Sequence, residues 1–350
     1  MAYVKPVEVV RAMIDAGEAK ANASAVQIVI RGILGGAILA FATTLAYTAV
    51  NQTSIGLVGA LIFPVGFVMI VLLGLELVTG SFALMPLSVM MRRTKTSRML
   101  SSFGWAIVGH LIGCGLYAAL YSLTVTEMGA NPVNPLALTL IQISEAKTIG
   151  YKAMGADGMW LVTIKAVLCN WMVTLGVVLA FTSTSTGGKI AAMWLPILTF
   201  FAQGFEHAVV NMFVIPAGMM LGANVTMADW WLWNQLPVLI GNFIGGALFT
   251  GIFLYWSQHK LRRAAASATH AEADSAAHAG EVRLAGGAAP AGSVPAAGDG
   301  ALAESGSGVG GSSPAGSSSP ARSSSPAGSI SPAGSISPAG SVSPAGSIDR

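Results

Sequence analysis

Glu76, His110, Lys165, Glu206 and His207 are side chains that can carry a charge and stand inside apolar stretches of this sequence. A charge at the centre of a bilayer costs at least about 2.5–3.5 kcal/mol on insertion scales, so each is a candidate for function. Glu76 and Glu206 lie at interruptions of long apolar runs. A carboxylate there can accept hydrogen bonds from exposed backbone N–H groups, a structural role that competes with a chemical one. His110 reads as a satisfied polar core residue. Lys165 lies less than two turns into its run, where it can snorkel into an outer vestibule and raise the local anion concentration. His207 sits at a mid-run break, and imidazole is the side chain that titrates near physiological pH. The chemistry these residues suit is proton handling and anion attraction, with His207 directly in a pore. Cys114 and Cys169 form no metal or disulfide pattern and read as small buried hydrophobes. No HExxH or other ligand cluster is present, so neither an intramembrane enzyme nor a cofactor or metal is expected.

The elements that position these residues follow from composition. The chain is 53% hydrophobic and 9% charged, with mean hydropathy +0.67. Soluble domains carry roughly a quarter charged residues, so this is an all-α membrane protein. A net charge of +3 is too small and scattered for a nucleic-acid footprint. About 20 apolar residues cross the hydrocarbon core. Six stretches qualify, at 26–50, 55–90, 100–123, 159–181, 191–221 and 235–258. The second and fifth are too long for one simple helix and read as broken. Residues 1–24 read as an amphipathic helix lying at the membrane interface, 25–260 as a six-span channel domain, and 124–158 as a loop with the turn-rich stretch Asn131 to Pro135. From 264 to 350 the sequence is Ala, Gly, Ser and Pro, with Pro314, Pro320, Pro326, Pro332, Pro338 and Pro344 six apart. Such a segment cannot bury enough apolar surface to offset its chain entropy and reads as a disordered spacer. Its Ser-Pro steps are also candidates for phosphorylation.

Lysine and arginine placement sets the orientation. Lys5, Arg11, Lys20, Arg31, Arg92, Arg93, Lys95, Arg98, Lys189, Lys260, Arg262 and Arg263 fall on one side, against Lys147 and Lys152 on the other. Both termini are therefore expected in the cytoplasm. The first apolar run is too long for a signal-peptide core, and Asp15 and Glu18 are unlike a transit peptide. The plasma membrane is favoured over a plastid envelope.

The two broken runs match each other. Each has a Pro near its start (Pro64, Pro196), a Gly two residues before a Glu (Gly74-Glu76, Gly204-Glu206), and a small polar residue five after it (Ser81, Asn211). The following spans share the knots Gly109-His110 to Gly113 and Gly241-Asn242 to Gly245. Three spans repeated as three spans give an inverted 3+3 repeat, whose sites lie near mid-membrane where discontinuous helices meet. Unwound backbone at that depth must be buried in protein or line a cavity.

Three stretches, "FPVGFVMIVLLGLELVTGSF" (63–82), "KAVLCNWMV" (165–173) and "GFEHAVVNMFVIPAGMMLG" (204–222), supported by "LPVLIGNFIGG" (236–246), resemble the formate/nitrite transporter family over roughly residues 5–260. The tail is similar to extensions of green-algal members, pointing to a nitrite or bicarbonate branch. The resemblance implies an aquaporin-like protomer, a homopentamer and one anion pathway per protomer. Thr79 and His207 match a threonine facing a central histidine. Glu206, Asn170 and Asn242 match polar positions that orient the histidine or satisfy the broken backbone. Phe63, Phe67, Leu77, Val78 and Phe200 match apolar constrictions. Val78 and Ser81 depart from the usual aromatic and asparagine, and His110 stands where an asparagine is usual. A vestibule lysine matches Lys147 by local context, while Lys152 lies at nearly the right distance from Asn170.

The implied mechanism draws nitrite, formate or bicarbonate into a basic vestibule. Apolar rings forbid a bare charge, so the anion passes only after taking a proton, from the vestibule or from His207. The partners are thus a small anion, protons and the bilayer. The rival readings are a neutral-solute pore, although the paired Asn-Pro-Ala caps of water channels are missing, and a membrane scaffold with a vestigial pore.

Overall fold

Residues 3–258 are described by a computed structural model, and the expected spacer at 264–350 lies outside the described residues. Among the described residues every regular element is a helix, and the one β contact is an isolated bridge between Tyr3 and Ser183. Four of the described helices are long and apolar enough to cross a bilayer: α2 (Ala25–Thr53), α6 (Thr96–Val125), α9 (Gly155–Ala180) and the run Met227–Gln258. That last run contains α12 (Met227–Trp230), α13 (Leu236–Ile244) and two π-helical turns, Trp231–Gln235 and Gly245–Ile252. The second expected span is divided into α3 (Gly56–Ile62), α4 (Pro64–Leu72) and α5 (Val78–Met90). The fifth is divided into α10 (Thr186–Ala202) and α11 (Ala208–Leu221).

Both breaks are built alike. Gly74 and Gly204 each adopt φ +63°, a left-handed conformation that costs an L-residue about 1–2 kcal/mol and glycine almost nothing. Each turns the chain out of one helix so that the next starts about four residues later. The glycine knots act elsewhere. A Cβ on Gly113 would meet the Ile33 carbonyl of α2, and one on Gly245 the Val167 carbonyl of α9. Backbones approach closely at both crossings, as small residues permit in membranes.

One expectation changes here. The stretch 124–158 is largely helical rather than a loop, comprising α7 (Pro135–Lys147) and α8 (Ile149–Ala153) after turns. Asn134 caps α7 by accepting the Leu136 N–H at 2.9 Å, and Pro135 opens it. The helix α1 (Pro6–Ala21) buries its apolar stripe against protein: Val9, Val10, Met13, Ile14 and Gly17 are buried, and the helix packs on α5. The α7 helix packs on α11 in the same manner. Ser88 of α5 donates to the Ile14 carbonyl at 2.6 Å, and Ser144 of α7 donates to the Ile215 carbonyl at 3.2 Å. The amphipathic stripe of α1 thus faces protein, because α5 ends before Met91 and leaves a flank to be covered.

Candidate functional site

The first turn of any helix leaves N–H groups without intrahelical partners, and inside a membrane they need acceptors. At α5 the Val78 N–H donates to His110 Nε2 at 3.1 Å, while His110 Nδ1 lies 2.9 Å from the Gly32 carbonyl. At α11 the Ala208 N–H donates to Asn242 Oδ1 at 2.9 Å, and Asn242 Nδ2 donates to the Ala166 and Glu206 carbonyls. His110 and Asn242 therefore do the same work on the two sides. The Asn170 amide donates to the Thr79 and Asn242 carbonyls, at 3.0 and 2.6 Å. Of the two roles expected for Asn170 and Asn242, these hydrogen bonds serve the broken backbone and do not reach the His207 ring.

His207 caps its own helix: Nδ1 accepts the Val210 N–H at 3.2 Å. The other ring nitrogen, Nε2, lies 3.0 Å from Thr79 Oγ1 at the start of α5. Since Nδ1 is occupied as an acceptor, the neutral ring carries its proton on Nε2, toward Thr79. Phe200 stacks on the imidazole with centroids 5.6 Å apart, and Phe63 and Phe200 form a T-shaped pair with centroids 5.6 Å apart.

The glutamates are buried and paired. Glu206 accepts from Lys147 Nζ (2.8 Å), Tyr151 Oη (2.8 Å), Asn211 Nδ2 (2.8 Å) and Asn234 Nδ2 (3.3 Å). Glu76 accepts from Lys20 Nζ at 2.7 Å and from Ser81. A buried carboxylate is tolerated only with such a partner set. Lys20, Tyr151 and Asn234 were not singled out in the sequence. Lys20 entered only as a topology marker, and Asn234 is brought inward by the π-helical turn at 231–235. The matched glutamates were the signal for a second lysine.

A cavity of 590 Å³ opens above His207, lined among others by Lys147, Lys165, Phe200, Phe201 and Glu206. Lys152 is outside it, paired with Asp229 at 2.7 Å, so of the two candidates the cavity holds Lys147. Lys165 Nζ lies 3.4 Å from Tyr151 Oη and 5.7 Å from that ring's centroid. Of the expected constriction residues, Phe200 lines the cavity, while Phe63, Phe67, Leu77 and Val78 are buried outside its lining. The described residues hold no group of three or more His, Cys, Asp or Glu able to bind a metal.

The sequence profile described as Formate/nitrite transporter matches residues 7–256. The uncharacterised transporter YrhG of Bacillus subtilis is 33% identical over 75% of this chain and 97% of its own length. The formate channel BtFdhC of Bacillus thuringiensis is 30% identical over 73% of this chain and 96% of its own. Among solved structures, one described as a pentameric formate channel with formate bound superposes with a TM-score of 0.55. It shares 24% identity and covers 67% of this chain and 97% of its own.

Proposed function

From the premise that this chain belongs to the formate/nitrite transporter family and is an integral membrane protein, we propose that it passes small monovalent weak-acid anions such as formate, nitrite and bicarbonate. In this reading the chain is an inverted 3+3 repeat with an aquaporin-like protomer. The matched Lys20–Glu76 and Lys147–Glu206 pairs and the matched caps of α5 and α11 support it. The assembly is a homopentamer, in line with the related formate channel. Both termini lie in the cytoplasm, the plasma membrane is the favoured site, and the tail is a spacer dispensable for flux.

The observation that carries the proposal is the buried Thr79–His207 contact, where the starts of two half-helices meet at the floor of a cationic cavity. Two helix starts directed at one point favour negative charge. The Phe63–Phe200 cluster beside them opposes it, because desolvating a bare anion costs far more than thermal energy. Neutralisation resolves the conflict: an anion collected in the cavity crosses as its conjugate acid and releases the proton on the far side. Phe63, Phe67, Leu77, Val78 and Phe200 form the apolar passage.

The geometry supports the vestibule, rather than His207, as the source of the proton. A second proton on the ring would have to displace the Val210 N–H from Nδ1 and uncap α11. The Nε2–H instead offers one hydrogen bond to the passing solute and one orientation to Thr79. Glu206, Asn170 and Asn242 hold the break in place.

Flux of formate, nitrite and bicarbonate into liposomes bearing the full chain, at about pH 5.5 and about pH 7.5, tests this reading. Saturable uptake that rises at the lower pH is the expected result. Equal uptake of an uncharged solute with no anion flux would point to a neutral pore, and no flux of either kind to a scaffold.

A further inference from the structure

Two lysines share the cavity above His207, and their surroundings differ. Lys147 is committed: its ammonium is 2.8 Å from Glu206, and its side chain is 17% exposed. A pair of opposite charges at that distance presents little net field a few ångströms away. Lys165 has no carboxylate partner among the described residues. Its ammonium meets Tyr151 through a long hydrogen bond to Oη and the face of the same ring. The Tyr151 hydroxyl spends its proton on Glu206 and so meets Lys165 as an acceptor only. The ammonium therefore keeps donors available on the cavity side, and it supplies the cavity's uncompensated positive charge. The fold repeats this division of labour. The Gly32 and Ala166 carbonyls play matching parts at the two caps, so the residues before them, Arg31 and Lys165, occupy equivalent positions. Arg31 is exposed and likewise has no carboxylate partner among the described residues. Each half thus carries one lysine bound to the glutamate of the break and one cation without such a partner.

We propose that Lys165, held beside the Tyr151 ring, is the anion-capturing residue of this vestibule, and that Lys147 is a positioning residue that holds Glu206 and the α11 break. The proposal rests on the anion-pathway reading above. The captured ligand is a small monovalent oxyanion, whose oxygen accepts from the ammonium before the anion reaches His207. A mobile cation over an aromatic face suits this task, because binding must be weak enough for the anion to leave.

Two readouts test it on the full chain: formate flux in liposomes as a function of concentration, and broadening of the ¹³C-formate resonance by the detergent-solubilised protein. Lys165→Gln is expected to raise the half-saturating concentration about fivefold, the effect of one screened charge at close range, with maximal flux little changed. It is also expected to abolish the broadening, and Lys165→Arg to restore both. The double variant Lys147→Gln/Glu206→Gln removes the pair without a change in net charge. It is expected to lower maximal flux while half-saturation and broadening stay with Lys165. The proposal is overturned if Lys165→Gln leaves half-saturation and broadening as in the wild type, or if both follow the double variant instead. Absence of flux in the wild type with Lys165-dependent broadening would retain the capture site and reject the transport reading.

Discussion

Glu206 shows how a charge is kept at the heart of an apolar protein. One carboxylate takes hydrogen bonds from an ammonium, a phenol and two carboxamides, and its mate Glu76 takes them from Lys20 and Ser81. Removing one partner of a buried ion pair leaves an uncompensated charge, at a cost of about 3–5 kcal/mol. Lys147→Ala is therefore expected to lower unfolding stability in detergent by about 3 kcal/mol. Adding Glu206→Gln should recover much of the loss, since a neutral amide needs no counter-ion. A denaturant titration of the single and double variants reads the difference. The imidazole obeys a related constraint. His207→Asn keeps an acceptor for the Val210 N–H and a donor toward Thr79, so flux should fall while its rise at low pH persists. A flat pH profile in that variant would instead make His207 the proton donor.

At the level of elements, everything depends on how α5 and α11 begin. Their first N–H groups are satisfied from outside the helix, by an imidazole in one case and a carboxamide in the other. His110→Asn should therefore be tolerated, whereas His110→Leu strands a buried N–H and is expected to cost about 1–3 kcal/mol, measured by thermal unfolding. Because Thr79 is the second residue of α5, the leucine variant should also lose flux out of proportion to its stability. The breaks were visible in the sequence, as Gly74 and Gly204 with their glutamates two residues on. The helices α1 and α7 were only partly visible. The apolar stripe of α1 is equally compatible with lipid and with protein, and α7 follows a Pro- and Asn-rich turn that masks its start. What places them is the exposed flank of a half-helix too short to cover itself.

On the scale of the whole molecule, the two breaks place Thr79 at the start of α5 against His207 at the start of α11, 128 residues apart. The outward faces of α2 and α6 carry Val26, Ile30, Leu34, Phe41 and Leu45, and Leu100, Ile112, Leu116 and Leu120, all exposed. Faces of this kind need lipid or another copy to cover them. Native mass spectrometry in mild detergent is expected to show five copies, and monomers alone would contradict the proposed assembly. A chain ending at residue 263 should retain wild-type flux per protein, as the spacer reading of the tail requires; loss of flux would assign the tail a part in transport.

Hydropathy and spacing alone determined that the chain is helical and membrane-embedded, that two of its apolar runs are broken, and which few polar residues stand within those runs. Those properties are local: a span is a run of about 20 residues and a break is a glycine within one. The family motifs added Thr79 facing His207. The pairings, by contrast, were decided only by tertiary structure. Lys147 and Lys152 sit five residues apart in sequence, one favoured by local context and the other by its distance from Asn170, yet one meets Glu206 and the other Asp229. The difference lies in how α7 and α8 lean against α11 and the run Met227–Gln258, and packing angles are not written in any short window. Lys20 and Asn234 joined the site for the same reason: a side chain becomes a ligand of a buried carboxylate when distant backbones bring it there, and sequence distance carries no record of that approach.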